Sequence, residues 1–153
     1  MINAQKTLSV DENRIPDGRF DYVIGKPTNF SRGALLGEAL AGMKEGIDKV
    51  YIINKEYGSF GITAKAVDEK SGRSMDIVTD QPAVILYTSN HFNGSAMGKN
   101  GQPLIRHGAF CLETQHYTDA PNHPNFPCII VRAGEKYKSR TQITFGLISD
   151  EHP

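Results

Sequence analysis

The chain has 153 residues with 17 basic and 17 acidic side chains, so its formal net charge is zero. That length suits one domain, and the charge balance argues against a nucleic-acid binder, which needs an excess of Lys and Arg to neutralise phosphates. The longest clean apolar run, Ala83 to Tyr87, is far too short for a membrane-spanning helix.

The N-terminus MINAQKTLSV lacks the basic-then-apolar layout of a signal peptide. Cys111 and Cys128 are too few for a disulfide scaffold and too widely spaced for a zinc ribbon, so they read as reduced thiols of a cytoplasmic protein. Gly (15) and Pro (8) are spread along the chain, which predicts many turns and no floppy linker. Short β-branched or aromatic runs recur at 20–24, 50–53, 62–67, 75–78, 84–88, 109–112, 128–131 and 143–148. Turn residues separate most of them, the spacing of an all-β sandwich or barrel. Only 33–46 looks helical, with Leu35, Leu36, Ala39, Leu40 and Met43 at helical spacing inside a fence of glycines. The stretch 62–79 reads as a hairpin whose loop, Asp68 to Arg73, contains Gly72 for a positive φ.

The segment 108–127, GAFCLETQHYTDAPNHPNFP, stands apart. A strand ends near Glu113 and runs into a proline-stiffened loop rich in His, Asn and aromatics. A carboxylate fixed at a strand end beside such a loop suits a general base. From composition alone, though, Glu113 reads first as a solvated strand-end carboxylate, since one acid near a histidine is a weak signal. His107 reads as a packing or capping residue, and Tyr117 and Phe126 as core. Cys111 lies two residues from Glu113 and so on its face, as core or pocket wall.

The letters carry more than the composition. Phe110-Cys111-Leu112-Glu113-Thr114-Gln115-His116 followed by Asp119-Ala120-Pro121-Asn122-His123-Pro124-Asn125-Phe126-Pro127 resembles the C-terminal signature of the aldose 1-epimerases, or galactose mutarotases. Upstream, Val10-Asp11-Glu12-Asn13-Arg14-Ile15-Pro16-Asp17-Gly18 is similar to the family's "VDENLIPTG", and Gly46-Ile47-Asp48-Lys49-Val50-Tyr51 to its "GYDHNY". Pro82 to Asn90 is similar to "PGVQFYTGN", and Arg132-Ala133-Gly134-Glu135-Lys136-Tyr137 to the "RPGE-Y" turn. The order is colinear and spans nearly the whole chain, so residues 1–153 resemble the C-terminal part of such a domain.

The resemblance implies an antiparallel β-supersandwich that interconverts the α and β anomers of free hexoses such as galactose and glucose. Glu113 falls on the family's catalytic base and Asp48 on its sugar-binding aspartate. No metal, nucleotide or other cofactor is implied. The departures are specific. The family's acid lies in an "H-x-Y-F-N-L" motif upstream of "VDEN", and no such motif occurs in this sequence. His91 falls where the family has an apolar residue, Lys49 where it has His, and Ile85 where it often has a sugar-binding Gln. The resemblance therefore gives this chain the base but not the acid. It leaves two alternatives: a non-catalytic carbohydrate-binding relative, or a hexose-6-phosphate 1-epimerase relative with Arg106 or Lys49 as phosphate ligand. The expected partners are the hexose and, to cover an open sandwich, an N-terminal half or a second copy; no nucleic acid or membrane is expected. Glu113 and Asp48 should converge on one face, with Glu113 partly buried, Asp48 held by donors, and Leu112 and Lys49 pointing the other way.

Overall fold

Eight antiparallel strands form two sheets in the computed structural model, which describes residues 1–148. They are β1 (Ala4–Val10), β2 (Pro16–Tyr22), β3 (Asp48–Ile53), β4 (Gly61–Asp68), β5 (Arg73–Thr79), β6 (Ala83–Tyr87), β7 (Cys111–Gln115) and β8 (Thr141–Leu147). The larger sheet runs β2-β1-β3-β6-β7 and the smaller β4-β5-β8. The sequence reading finds most of these strands. It does not find β1, and register shifts between Ala4 and Lys6 and between Leu8 and Val10 explain why. A bulge puts two residues against one, so the period-two pattern that betrays a strand is lost.

The expected helix shrinks to α1 (Leu36–Ala41), because Gly33 and Gly46 take positive φ and Gly42 ends the last turn. The run 128–131 forms no strand; Ile129, Ile130 and Val131 are exposed and pair with nothing among the described residues. The 68–73 turn forms as expected. Gly72 adopts φ +71°, its N–H donates to Asp68 O at 2.8 Å, and the Ser71 hydroxyl caps the Asp68 carboxylate.

Alternation divides each strand between two environments. Tyr51, Ile53, Val84 and Leu86 of the larger sheet meet Ala64 and Ile77 of the smaller, with Ile2, Phe30 and Ile47 closing the core. The Tyr51 hydroxyl donates to Thr28 O at 3.0 Å, and burial pushes its pKa up. Residues 1–3 bridge to β4, with Ile2 opposite Ala64, and seal that side of the sandwich. No helix among the described residues is long and apolar enough to cross a membrane.

The outer face of the larger sheet has a second, smaller core. The loop after β7 folds back so that Phe126, Ala120 and Tyr117 cover Leu8, Val50 and Ile52. Phe126 meets Tyr117 edge-on at 5.2 Å and also packs on Phe20 and His123. Phe126→Ala should lower stability by about 3–5 kcal/mol, the usual cost of emptying a buried aromatic site; urea unfolding measures it.

Candidate functional site

Strand pairing places the two carboxylates. On β3, β6 and β7 one lateral row is Asp48, Tyr87, Cys111 and the next is Val50, Ile85, Glu113. Residues opposite one another in an antiparallel ladder share a face, so Asp48 and Glu113 lie together on the outer face. Their Cα atoms are two strands and one row apart, about 12 Å by strand spacing and rise. Lys49 pairs with Leu86, and Leu86 with Leu112, in a row on the opposite, core-facing side.

A cavity of ≈ 480 Å³ opens on the outer face, lined by Asp48, Val50 and Ile85 and walled by Leu8, Arg14 and Thr118. Glu113 stands one strand beyond Ile85. Both carboxylates are exposed, and neither has a hydrogen-bond or ion-pair partner among the described residues. Glu113 is thus more open than the sequence reading expects, because β7 is an edge strand among the described residues, and Asp48 is not held by donors. Two free acceptors flank an apolar floor of Val50 and Ile85.

The position of Asp48 is set from behind by a closed polar circuit. Ile47 N–H donates to Thr88 Oγ1 at 2.8 Å, that hydroxyl donates to Asn90 Oδ1 at 2.7 Å, and Asn90 Nδ2 donates to Ile47 O at 2.9 Å. His107 Nδ1 donates to Thr88 O at 2.9 Å, so this histidine caps the circuit as its sequence position suggests. Gly46 is the lid. Its φ is +70°, and a Cβ there would fall 2.0 Å from Asn90 Oδ1.

The signature loop is tied to the opposite wall. His123 Nε2 donates to Pro16 O at 3.0 Å and Asn125 Nδ2 to Gly18 O at 2.8 Å. Gly18, at φ +82°, leaves the room into which the imidazole fits. Beside it, the Arg19 guanidinium and the Ser9 hydroxyl hold the Asp17 carboxyl down at about 2. His116 sits elsewhere, between Tyr57 and Tyr137, where burial lowers its pKa, so the two loop histidines do not meet.

Three features escape the sequence reading. The His91 ring stacks on Tyr87, 6.1 Å between centroids, and Tyr87 belongs to the row of Asp48 and Cys111. Arg14 reaches the cavity rim and pairs with Glu45 at 3.1 Å. The Asn90 and Thr88 circuit is a third; its only signal is polar residues closing a buried strand. Of the cations weighed as phosphate ligands, Arg106 donates to the Lys44 carbonyl, whereas Lys49, though in the core-facing row of β3, is among the residues that line the cavity.

A concave sheet face with an apolar floor and a few polar groups is the usual layout of a small-molecule site. The pattern that defines the family Aldose 1-epimerase matches residues 1–144, and the chain belongs to that family. Similar proteins include the galactose mutarotases of Rattus norvegicus, 36% identical over 147 residues, and Homo sapiens, 35% identical over the same length; each match covers 95% of this chain and 43% of the relative. The aldose epimerase homologue of C. elegans superimposes with a TM-score of 0.86 at 27% identity, over 97% of this chain and 45% of that one. The chain therefore spans less than half the length of the relatives it matches.

Gly46→Ala tests the lid. The clash and the positive φ should cost about 2–4 kcal/mol in urea unfolding and shift the backbone amide resonance of Asp48.

Proposed function

We propose that this chain supplies the base half of a mutarotase site, which interconverts the α and β anomers of free hexoses such as galactose and glucose. The observation that carries the reading is the shared outer face of Glu113 and Asp48, with the apolar pair Val50 and Ile85 between them. A pyranose laid over that floor packs its C–H face on Ile85 and Val50. Its hydroxyls then donate to Asp48, and its anomeric hydroxyl reaches Glu113. Both carboxylates are unpaired, so binding sacrifices no internal bond of theirs.

The reaction is a proton relay. Glu113 takes the proton from the C1 hydroxyl while an acid gives one to the ring oxygen, and the C1–O5 bond breaks. The open aldehyde turns about C1–C2, and closure on the other face returns both protons. General base catalysis of this kind contributes on the order of 10²–10⁴ in rate. The sequence resemblance assigns the acid to a motif this sequence does not contain, so residues 1–153 alone should bind hexose but turn it over little.

Two measurements test this. In an NMR titration with galactose, resonances of β3, β6 and β7 should move, and Asp48→Asn should weaken binding about 10- to 100-fold, the loss of charge-assisted hydrogen bonds. In polarimetry of α-galactose the chain should show little rate above water. A rate that disappears in Glu113→Gln would mean that a side chain of this sequence supplies the acid, with His91 the first to examine. Absence of any hexose-induced shift would sink the assignment of the site.

A further inference from the structure

Tyr87 stands on β6, the strand between the two carboxylates. It lies opposite Asp48 on one side and Cys111 on the other, one row from Ile85 and Glu113. Residues opposite one another in an antiparallel ladder have Cβ atoms about 5 Å apart, and residues two apart on a strand share a face. Tyr87 therefore borders both Asp48 and the Ile85 floor. Like Glu113, it lies just outside the cavity lining. A side chain this large at this position either walls the floor or covers it, and its direction of lean decides which.

The lean follows His91. The His91 backbone N–H donates to the Tyr87 hydroxyl at 3.3 Å, and the two rings stack with centroids 6.1 Å apart and planes 28° from parallel. Ile85 precedes Tyr87 along β6 whereas His91 follows it, so a ring whose tip meets His91 points away from the floor. Two χ1 rotamers are common in a strand, and a Tyr87 that changed rotamer would lose the contact with His91. The two-residue repeat of a strand is only about 7 Å, which puts the released ring within reach of Ile85. His91 itself stands on a firm base. Thr88, Ser89 and Asn90 before it are all buried. Thr88 and Asn90 belong to the circuit behind Asp48, and the Ser89 hydroxyl donates to Ala109 O at 2.9 Å. The turn that carries His91 is thus fixed to the same anchor as Asp48.

We propose that His91 is a positioning residue for the sugar site: it latches the Tyr87 ring over the turn, so that the Ile85 floor between Asp48 and Glu113 stays open to a hexose. The inference rests on the sugar-site reading given above. His91 acts through Tyr87 and needs no contact with the sugar. A stacked pair of rings is worth about two- to tenfold in an equilibrium constant. Without the stack Tyr87 divides its time between two leans, and the apparent affinity for hexose falls with the fraction of molecules whose floor is open. What the latch requires at position 91 is a flat ring, not a titratable one.

Methyl NMR of the full chain, with and without galactose, tests the latch. His91→Ala should move the Ile85 methyl resonances upfield, as the Tyr87 ring comes to lie on them, and weaken galactose binding about two- to tenfold. His91→Phe keeps a ring at this position and should restore both. Tyr87→Ala in the His91→Ala background removes the ring that needs latching, so galactose affinity should recover. Circular dichroism melts establish that each variant remains folded. Ile85 methyls that do not move in His91→Ala, or a double variant that still binds weakly, would overturn the proposal. So would a His91→Phe that binds as weakly as His91→Ala, since the imidazole itself would then be bonding to the sugar. If the unaltered chain shows no galactose-induced shift, the sugar-site reading fails, and the Ile85 methyls of His91→Ala still decide whether His91 sets the lean of Tyr87.

Discussion

Everything on the outer face depends on how β3 meets β6, and that pairing is locked at its entry by the buried circuit of Ile47, Thr88 and Asn90. Because side chains alternate with period two, a slip of one residue would turn Asp48 into the core and bring Lys49 to the surface. Apolar packing alone resists such a slip only through cavity and clash terms. The circuit adds directional bonds that a slipped strand leaves unmade in a buried place, where each unmet group costs about 1–3 kcal/mol. Gly46 makes this possible, since no side chain fits between its backbone and Asn90. Register fixed at this point carries through β6 to β7 and so to Glu113.

The proline-rich loop has a different task from holding Glu113. Glu113 is set by the strand ladder, whereas the loop folds back to cover Leu8, Val50 and Ile52 and ties itself to the Pro16–Gly18 turn through His123 and Asn125. It builds the far wall of the cavity and keeps the outer face from being a flat sheet. An antiparallel sheet usually leaves one face to water. Here the loop supplies a partial second layer, and the site lies in the part it leaves uncovered.

That uncovered part departs from the family pattern. With Ile85 between Val50 and Glu113, the floor has no side-chain amide, and in the proposed reading hydroxyl recognition rests on the carboxylates and on Arg14 at the rim. Lys49, where the family has His, sits in the core-facing row of β3 and still contributes to the cavity lining beside Asp48.

Composition and turn spacing alone determine that this is an all-β chain of many short strands, and the 68–73 hairpin can be read to the residue, because these are local properties of backbone preference. The family letters single out Glu113 and Asp48, and alternation along one strand is enough to put Glu113 with Cys111 and against Leu112. What the sequence cannot carry is anything set between strands. β1 is hidden by its bulges, and the apparent strand at 128–131 has the right propensity but no neighbour to pair with. The openness of Glu113 goes with its place on β7, an edge strand among the described residues. Local pattern encodes which way a side chain points relative to its own strand; only the packing of distant strands decides whether another layer lies there to meet it.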